Sequence, residues 1–440
     1  MKALKKYIFL LFASVLPLAG NAQQKWTLEE CIRYAQENNL QIQQQQIGIE
    51  QAENNLAASK LNYIPTLNAS MNHSMSWGRS VNLNDLEIIE NQLSQSTSLN
   101  VSASLPLFEG MKKKNTVKSN VKQLEIAGEN INKLKDDISI SVLQAYLQVL
   151  LSMEIEKVAQ QSLNATTLQV ERTRTLVEAG SQAYSSLLEI QAQQSNERVQ
   201  LVSAQNNLRS NLLNLAQLMN LQDTENFMVE VPQDFIAENE IDDQTIGQLY
   251  SAALSLPQIK GAELGVEQSR LKYRIQKGTA LPVLSFSTGY GTYYSNNQDT
   301  PFFTQFNNNR NPSMGFGLSI PIFNNWKTNT AIKNAKLDIK NAEIQLKQQQ
   351  QTLYKEIQQA YNEVMASREK CRALEQNVKS AEESFRYTQE KFNAGMLNGT
   401  EYTVAKSNLF KAESEYLQSR FQYLFQIKIL DYYRCIPLTL

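Results

Sequence analysis

The sequence predicts an α+β membrane protein built from two similar halves. Three observations support this: an N-terminal export signal, four segments in which apolar and polar residues alternate, and two very long stretches without proline. The long stretches follow the related motifs "LPLF" and "IPIF", and both end at Ala-Gly. The offset from Pro106 to Pro321 equals the offset from Gly180 to Gly395 (321 − 106 and 395 − 180). A constant offset of this kind indicates an internal duplication.

Residues 1–22 have the pattern of a secretory signal peptide. Three lysines precede an apolar run from Tyr7 to Leu18, and Gly20-Asn21-Ala22 fits a cleavage site with small residues. The run is too short for a membrane-spanning helix, and no cysteine follows Ala22 to carry an acyl chain. We therefore expect a signal peptide (1–22), a first structural repeat (23–240) and a second repeat with the C-terminal segment (241–440).

Composition and charge argue against several classes of function. With 42 basic and 43 acidic side chains the net charge is −1, so no strongly basic surface indicates nucleic-acid binding. The single histidine, His73, and three cysteines are too few for a common metal cage or a histidine-based triad. We therefore expect that the protein is not an enzyme and that it binds neither a metal ion nor a cofactor. The chain has no internal stretch of about 18 apolar residues, so we expect no transmembrane helix.

The three cysteines form at most one disulfide. Cys371 lies on a predicted apolar helix stripe and is interpreted as a small buried hydrophobe. A pairing of Cys31 with Cys435, near opposite ends of the chain, stays open at this point.

Four segments with a period of two are typical of strands that have one apolar and one polar face. They begin near Leu67, Ser98, Leu284 and Ser313, and serine, asparagine and glycine fill most of their polar positions. His73 falls on an apolar face, and we assign it no role. Residues 78–96 and 295–311 are expected to be loops. Four prolines mark the predicted junctions between strands and helices: Pro65, Pro106, Pro282 and Pro321.

Such strands suit an outer-membrane barrel, because one face can meet lipid and the other water. A soluble sandwich sheet would explain any one of them, but four strands after a signal peptide, with aromatic residues at their ends, favour the membrane. Four strands cannot close a barrel, and open edges are not tolerated in lipid. The chain must therefore oligomerise, and this pattern does not choose between two copies with eight strands and three copies with twelve.

The proline-free stretches predict helices of unusual length. A helix from Met111 to Glu178 would be roughly 100 Å long, and a second runs from near Asn325 to Asn393. Apolar residues recur in each at about 3.5-residue spacing, which is typical of a coiled-coil seam. Shorter helices are predicted at 26–60, 182–221, 243–278 (interrupted at Pro257) and 400–433. Pairs of them would lie antiparallel along each long helix, with residues 222–242 wrapping the middle.

Local signals mark the helix ends. Thr27 and Glu30 have the spacing of a capping box at the start of the first helix. Ala179-Gly180 and Ala394-Gly395 end the long helices, because glycine readily adopts the left-handed conformation that stops a helix. A plain helical-hairpin turn explains these glycines as well as a functional role does.

The signal peptide, the duplicated strand–strand–helix unit, "LPLF"/"IPIF" and the two Ala-Gly turns together resemble the outer membrane efflux protein (TolC) family. The resemblance covers residues 26–433. It implies a homotrimer in the outer membrane of a Gram-negative bacterium. Four strands per chain would form a twelve-stranded β-barrel, continued by a long antiparallel α-helical barrel through the periplasm. It also implies an exit duct of a tripartite efflux or type I secretion system, a passive conduit that is gated at its periplasmic helical tip.

The resemblance also implies roles for particular residues. The turns Ala179-Gly180 and Ala394-Gly395 would form the periplasmic tip and dock a periplasmic adaptor, which an inner-membrane transporter feeds. Glu401 matches the first of two acidic residues that narrow the tunnel in this family. Val404 replaces the second, and Ser186 replaces an aspartate that helps latch the closed tip. Glu401 equally fits a helix-start glutamate beside Thr400, where the helix dipole favours negative charge.

Two other functions remain as alternatives: a periplasmic coiled-coil adaptor and a surface structural protein without a pore. An adaptor would need small β-domains, for which we find no pattern, and a coiled-coil surface protein would not need four alternating strands.

Overall fold

The computed structural model describes residues 25–81, 86–222, 224, 227–232 and 245–440. The predicted signal peptide lies outside these residues, as does most of the predicted wrapping segment. The chain forms two compact units: unit 1 (Met1–Gln44, Asn132–Leu256 and Thr352–Leu440) and unit 2 (Gln45–Ile131 and Pro257–Gln351). Both units draw on both predicted repeats, since each long helix contributes residues to both.

The described part of the chain is mostly helical, with a small number of strands. Its helices are α1 (Leu28–Asn38), α2 (Leu40–Leu61), α3 (Lys112–Glu178), α4 (Tyr184–Met219), α5 (Ile246–Ala253), α6 (Pro257–Gly278), α7 (Phe302–Asn308), α8 (Lys327–Asn393) and α9 (Gly399–Tyr433). Its strands are β1 (Lys25–Trp26), β2 (Thr66–Val81), β3 (Ile88–Glu109), β4 (Met228–Val229), β5 (Val283–Ser295) and β6 (Asn311–Ser319).

The two long helices are present at the predicted places. α3 and α8 each have 67 residues. Both ends of α8 follow the corresponding ends of α3 at the offset that relates the two Ala-Gly turns (327 − 112 and 393 − 178). The absence of proline allows each helix to continue without losing a backbone hydrogen bond.

The predicted first helix is interrupted, which corrects the prediction of one helix over 26–60. Its start is as expected: Glu30 N–H donates to Thr27 Oγ1 and Thr27 N–H donates to Glu30 Oε2, both at 3.2 Å. Asn39 then has an extended backbone between α1 and α2. Its side chain accepts a hydrogen bond from the N–H of Gln41 at 2.8 Å and donates one to Leu218 O at 3.2 Å. These bonds compensate for the break and attach it to the end of α4.

The core of unit 1 packs α3 against α1, α4 and α9. Val142 and Val149, from the predicted apolar stripe, are fully buried there. Tyr146 is also fully buried, and its hydroxyl lies 2.7 Å from Glu230 O and 3.1 Å from Trp26 O. These carbonyls adjoin β4 and β1, which pair in parallel, so Tyr146 holds this small sheet against the middle of α3.

One 18-residue stretch of α3 is long and apolar enough, by composition, to cross a membrane, although the sequence led us to expect no such helix. Of this stretch, 56% is buried inside the structure. A core helix of a protein that does not span a membrane meets the same criterion, and α3 supplies more residues to the unit 1 core than any other helix. We therefore treat α3 as a core helix.

The three cysteines are free. Cys31 is buried in the unit 1 core, where burial above all, with Glu30 and Glu29 nearby, raises the pKa of its thiol to about 12. Cys435 is exposed and lies 3.4 Å from Ser255 Oγ, so the pairing of Cys31 with Cys435 is not formed. Cys371 is half-buried rather than buried.

Asp136 makes the stability of unit 1 depend on pH. Burial raises the pKa of this carboxyl to about 6, with Asp137 adding to the rise and Lys133 opposing it. Between about pH 4 and pH 6 the folded chain keeps a proton that the unfolded chain has lost, so stability falls as pH rises through this window. We expect Asp136→Asn to remove that fall and to raise the thermal unfolding midpoint at pH 7.

Midpoints measured in detergent from about pH 4 to pH 7 test this expectation. Asp338→Asn, at an exposed position of α8, is the control and should follow the wild type. If the unfolding midpoints of the wild type and of Asp136→Asn change with pH in the same way, Asp136 is not the source of the pH dependence.

Unit 2 contains a four-stranded antiparallel sheet in the order β2-β3-β5-β6. The predicted loop over 78–96 is wrong, because β2 and β3 stay paired as far as Val81 and Ile88. A register shift between Gly78 and Ser80 allows the pairing to continue beyond the regular alternation. The predicted loop over 295–311 contains α7. The side-chain amide of Gln305, a residue of α7, donates to Ser295 O at 2.9 Å and to Thr300 O at 2.7 Å, which fixes the chain that leads into this helix.

The register places most apolar positions of the four strands on one face. Leu67 pairs with Ala103, Met71 with Leu99, and Phe286 with Phe316. The side chains of Leu67, Met71, Met314 and Phe316 are each two-thirds or more exposed. His73 also lies on this face, with its Nδ1 2.8 Å from Thr97 Oγ1. α7 covers one end of this face, where Thr292 is buried and its hydroxyl donates to Phe306 O at 2.6 Å. The part of the face around Leu67, Met71 and Phe316 is uncovered within the described chain, and β2 and β6 each keep one edge without a partner strand.

Candidate functional site

The turns after α3 and α8, both in unit 1, have the same geometry. Gly180 and Gly395 both have φ of +71°, a left-handed conformation that favours glycine. Gly180 N–H donates to Val177 O at 2.9 Å and Ser181 N–H donates to Leu176 O at 2.8 Å. The second turn repeats both bonds, from Gly395 to Phe392 O at 3.0 Å and from Met396 to Lys391 O at 2.9 Å. Both are Schellman motifs, in which Ala179 and Ala394 are the last residues before the glycine.

The two helical hairpins that these turns create are packed together. Phe392 and Tyr402, both fully buried, contact each other at 5.0 Å between ring centroids and share a cluster with Leu187 and Ile190. Two hydrogen bonds join the hairpins beside this cluster. Gln182 Nε2 donates to Phe392 O at 3.0 Å, and Gln169 Nε2 donates to Asn393 Oδ1 at 3.1 Å.

Glu401 lies in the first turn of α9. Its N–H donates to the side chain of Asn398, the N-cap residue, at 2.9 Å. Its side chain is exposed and makes no ion pair with the described residues. It borders an open groove of about 290 Å³ between α8 and α9, lined by Ala381, Ser384, Thr400, Glu401, Val404, Ala405 and Asn408. This position is that of a helix-start residue. Val404 is exposed in the same groove, and Ser186 lies in the first turn of α4.

A buried ion pair between α4 and α9 was missed by the sequence analysis. Lys406 Nζ lies 3.0 Å from Glu197 Oε1, and the two side chains are 6% and 2% exposed. Lys406 Nζ also donates to Ser162 O at 2.9 Å and to Thr166 Oγ1, both on α3. Gln193 Nε2 donates to Glu197 Oε1 at 2.8 Å. Three helices therefore meet at one satisfied polar cluster, which we call the Glu197–Lys406 cluster.

Burial lowers the pKa of Lys406, and the adjacent Glu197 carboxylate opposes this effect. A sequence signal for the cluster exists: Glu197 interrupts the apolar series Leu187, Ile190, Leu201 and Ala204 at helical spacing. A charged residue in such a series either has a partner of opposite charge in the folded protein or does not face the core. The partner of Glu197, however, is Lys406 on α9, which lies far from α4 in the sequence.

The four predicted junction prolines lie at different kinds of position. Pro65 and Pro282 directly precede β2 and β5, and Pro321 follows the end of β6. Pro106 lies within β3, which continues to Glu109, so here the predicted junction is three residues early. The strand tolerates this proline beside a register shift, where a missing N–H does not break a regular ladder.

The sequence profile of the outer membrane efflux protein family matches residues 31–221 and 249–427, which is most of the chain. The chain belongs to the outer membrane efflux protein family. This efflux protein is therefore located in the outer membrane and extends into the periplasm.

Individual relatives of the efflux protein are distant in sequence. It is 22% identical over 320 residues to the outer membrane efflux protein BepC of Brucella suis biovar 1 (strain 1330), covering 72% of this chain and 65% of BepC. The efflux protein thus spans somewhat less than two thirds of the length of that relative.

Solved structures share its fold. CusC, described in the context of transmembrane channel formation, has a TM-score of 0.79 at 16% identity, covering 93% of this chain and 92% of CusC. VceC of Vibrio cholerae has a TM-score of 0.74 at 16% identity, covering 92% and 95%. BepC is described as an outer membrane efflux protein and VceC as an outer membrane protein, and none of the three relatives is described as an enzyme.

Proposed function

We propose that the efflux protein is the exit duct of a tripartite efflux or type I secretion system, formed by three copies of the chain. The observation that carries this proposal is the four-stranded sheet of unit 2. It has two unpaired edges and an exposed apolar face, and neither feature suits a monomer in water.

Closure by further copies accounts for both features. In lipid every strand edge must be paired, so β6 of one copy would pair with β2 of the next. The shorter edge strand, β6, has 9 residues, which is about the length that a tilted membrane strand needs. Two copies would make eight strands, and barrels of about eight are filled by their own side chains. Three copies leave room for a conduit.

The proposal includes an internal duplication with repeats at 23–240 and 241–440. Equal helices and equal turns at one constant offset support it (327 − 112 and 395 − 180). The same offset relates two pairs of left-handed residues that precede the long helices, Gly110 and Met111 in one half and Asn325 and Trp326 in the other. Trp326 is a bulky residue in the left-handed region, where such residues are rare. A duplication explains this conformation, because the second half would keep the backbone of the first.

The turns at Gly180 and Gly395 are proposed as the periplasmic tip, where the duct is gated and a periplasmic adaptor of an inner-membrane transporter docks. Support comes from their matched Schellman geometry, which presents two similar loops, and from exposed apolar side chains beside them, such as Tyr184 and Met396. Solutes would pass down the duct without a chemical step, and energy would come from the transporter.

Cysteine pairs at the sheet edges test the trimer. In a chain whose native cysteines are replaced, Ser70→Cys on β2 is combined with Ser313→Cys, Gly315→Cys or Gly317→Cys on β6. Two strands separate β2 from β6 within one chain, so a disulfide between them must join two copies. We expect one register to give covalent dimers and trimers in the outer-membrane fraction.

Ser102→Cys on the inner strand β3 replaces Ser70→Cys in the matched control, which should give none. Edge pairs that crosslink no better than this control at any register, or a soluble monomer after fractionation, would contradict the proposed duct.

We propose that the Glu401 side chains of the three copies form a ring of carboxylates that narrows the duct. We expect Glu401→Gln to raise the conductance of the purified channel in a planar bilayer or to weaken its block by multivalent cations, because carboxylate rings bind cations. Glu415→Gln, on the same helix and 4.0 Å from Lys411, is the control. An unchanged conductance and block would leave Glu401 as a helix-start residue only.

A further inference from the structure

We infer that the part of the duct lined by five adjacent rows of the sheet does not select solutes by charge, because these rows of the polar face contain no charged side chain. This inference rests on the proposed function, in which the polar face of the sheet lines the conduit. It identifies the solutes that this section accepts: cations, anions and neutral polar molecules alike.

The strand register brings uncharged residues together in rows across all four strands. Three adjacent rows cross the complete sheet and contain only serine, threonine, asparagine and glycine. They are Thr66–Ser104–Ser287–Gly315, Asn68–Ser102–Gly289–Ser313 and Ser70–Asn100–Gly291–Asn311. The next rows toward the β2–β3 hairpin continue with Asn72–Ser98–Tyr293 and Ser74–Ser96–Ser295. In these five rows, all of which the structure describes, no residue is Asp, Glu, Lys, Arg or His.

The side chains of this face are small and close together. Ser74 Oγ and Ser96 Oγ lie 2.7 Å apart. A Cβ atom added to Gly289 would lie 3.2 Å from Ser313 Oγ, and one added to Gly317 would lie 3.1 Å from Ser285 Oγ. Glycine at these positions therefore leaves space for the neighbouring hydroxyl groups and keeps side-chain volume out of the conduit.

Charge selection in a pore needs fixed charges or oriented dipoles that favour one sign. Hydroxyl groups rotate, and they offer a hydrogen to an anion or an oxygen to a cation. The asparagine amides also carry both a donor and an acceptor. A lining of such groups has no net charge that would concentrate ions of one sign. Any preference of the whole channel for one sign must therefore arise outside these rows.

The local potential at the lining can be measured with charged thiol reagents. Ser102→Cys, in a chain without its native cysteines, is placed in vesicles as the assembled protein. The rates of reaction with a cationic and an anionic methanethiosulfonate are compared with their rates toward a free thiol. We expect the ratio of the two rates at Ser102→Cys to equal that of the free thiol. A second variant that adds Asn68→Asp in the same row should raise the ratio in favour of the cationic reagent several-fold.

A ratio at Ser102→Cys that departs tenfold or more from the free thiol, about 1.4 kcal/mol, would overturn the inference. An unchanged ratio after Asn68→Asp would overturn the reason given for the inference, since charge in this row would then not govern access. Val101→Cys on the apolar face reports on the proposed function separately. If it reacts faster than Ser102→Cys in the membrane, the polar face does not line a conduit and the duct itself is contradicted.

Discussion

Replacing Lys406 with methionine is expected to lower the free energy of unfolding of unit 1 by about 3–5 kcal/mol. The substitution leaves Glu197 2% exposed and without its cation. It also removes the donor to Ser162 O and Thr166 Oγ1. Gln193 alone cannot compensate a buried carboxylate, because one neutral amide replaces only part of its lost hydration.

The double variant Glu197→Leu with Lys406→Met distinguishes loss of an ion pair from loss of packing. Buried pairs replaced by apolar residues of similar volume are often neutral or stabilising. We therefore expect the double variant to recover most of the stability that Lys406→Met loses. Denaturant titrations in detergent would measure the free energy of unfolding of the single and the double variants. Lys411→Met, which removes an exposed partner of Glu415, is the matched control and should cost less than about 0.5 kcal/mol. Equal losses in the single and the double variants would show that the uncompensated charge of Glu197 is not the cause of the lost stability.

Gly278→Ala is expected to disrupt the junction between the sheet and the helices of unit 2. A Cβ at Gly278 would lie 2.6 Å from Gly110 O and 2.9 Å from Lys112 Cγ. Backbone cannot yield as a flexible side chain can, so the end of α6 or the end of β3 must move. Overpacking of this kind costs typically about 1–3 kcal/mol, and displacement of a strand end should also impair assembly.

Gly265 provides the matched control on the same helix. A Cβ there would meet nothing within 4 Å, so Gly265→Ala should stabilise α6 by up to about 1 kcal/mol through its higher helix propensity. The yield of folded protein in the outer membrane and the unfolding midpoint in detergent measure both effects. If Gly278→Ala behaves like Gly265→Ala, the two backbones are not in the close contact described.

Much of the candidate site could be predicted from local sequence. Glycine after each long helix predicted the turns, and both adopt the left-handed conformation at Gly180 and Gly395. The capping box at Thr27 was also readable, because its two hydrogen bonds join residues three positions apart. The break at Asn39 was not, since the compensating bond goes to Leu218 on another helix.

The sequence by itself determined the period of the main elements and the extent of the two long helices. Two helices of 67 residues and four alternating strands follow from proline placement and from periods of about 3.5 and two residues, which are properties of neighbouring residues. The tertiary structure decided which elements meet. It alone pairs β3 with β5, which assembles the uncharged rows, and it alone brings Lys406 to Glu197. Such contacts join residues that are far apart in the chain, and their energies depend on burial and register, which no local pattern encodes.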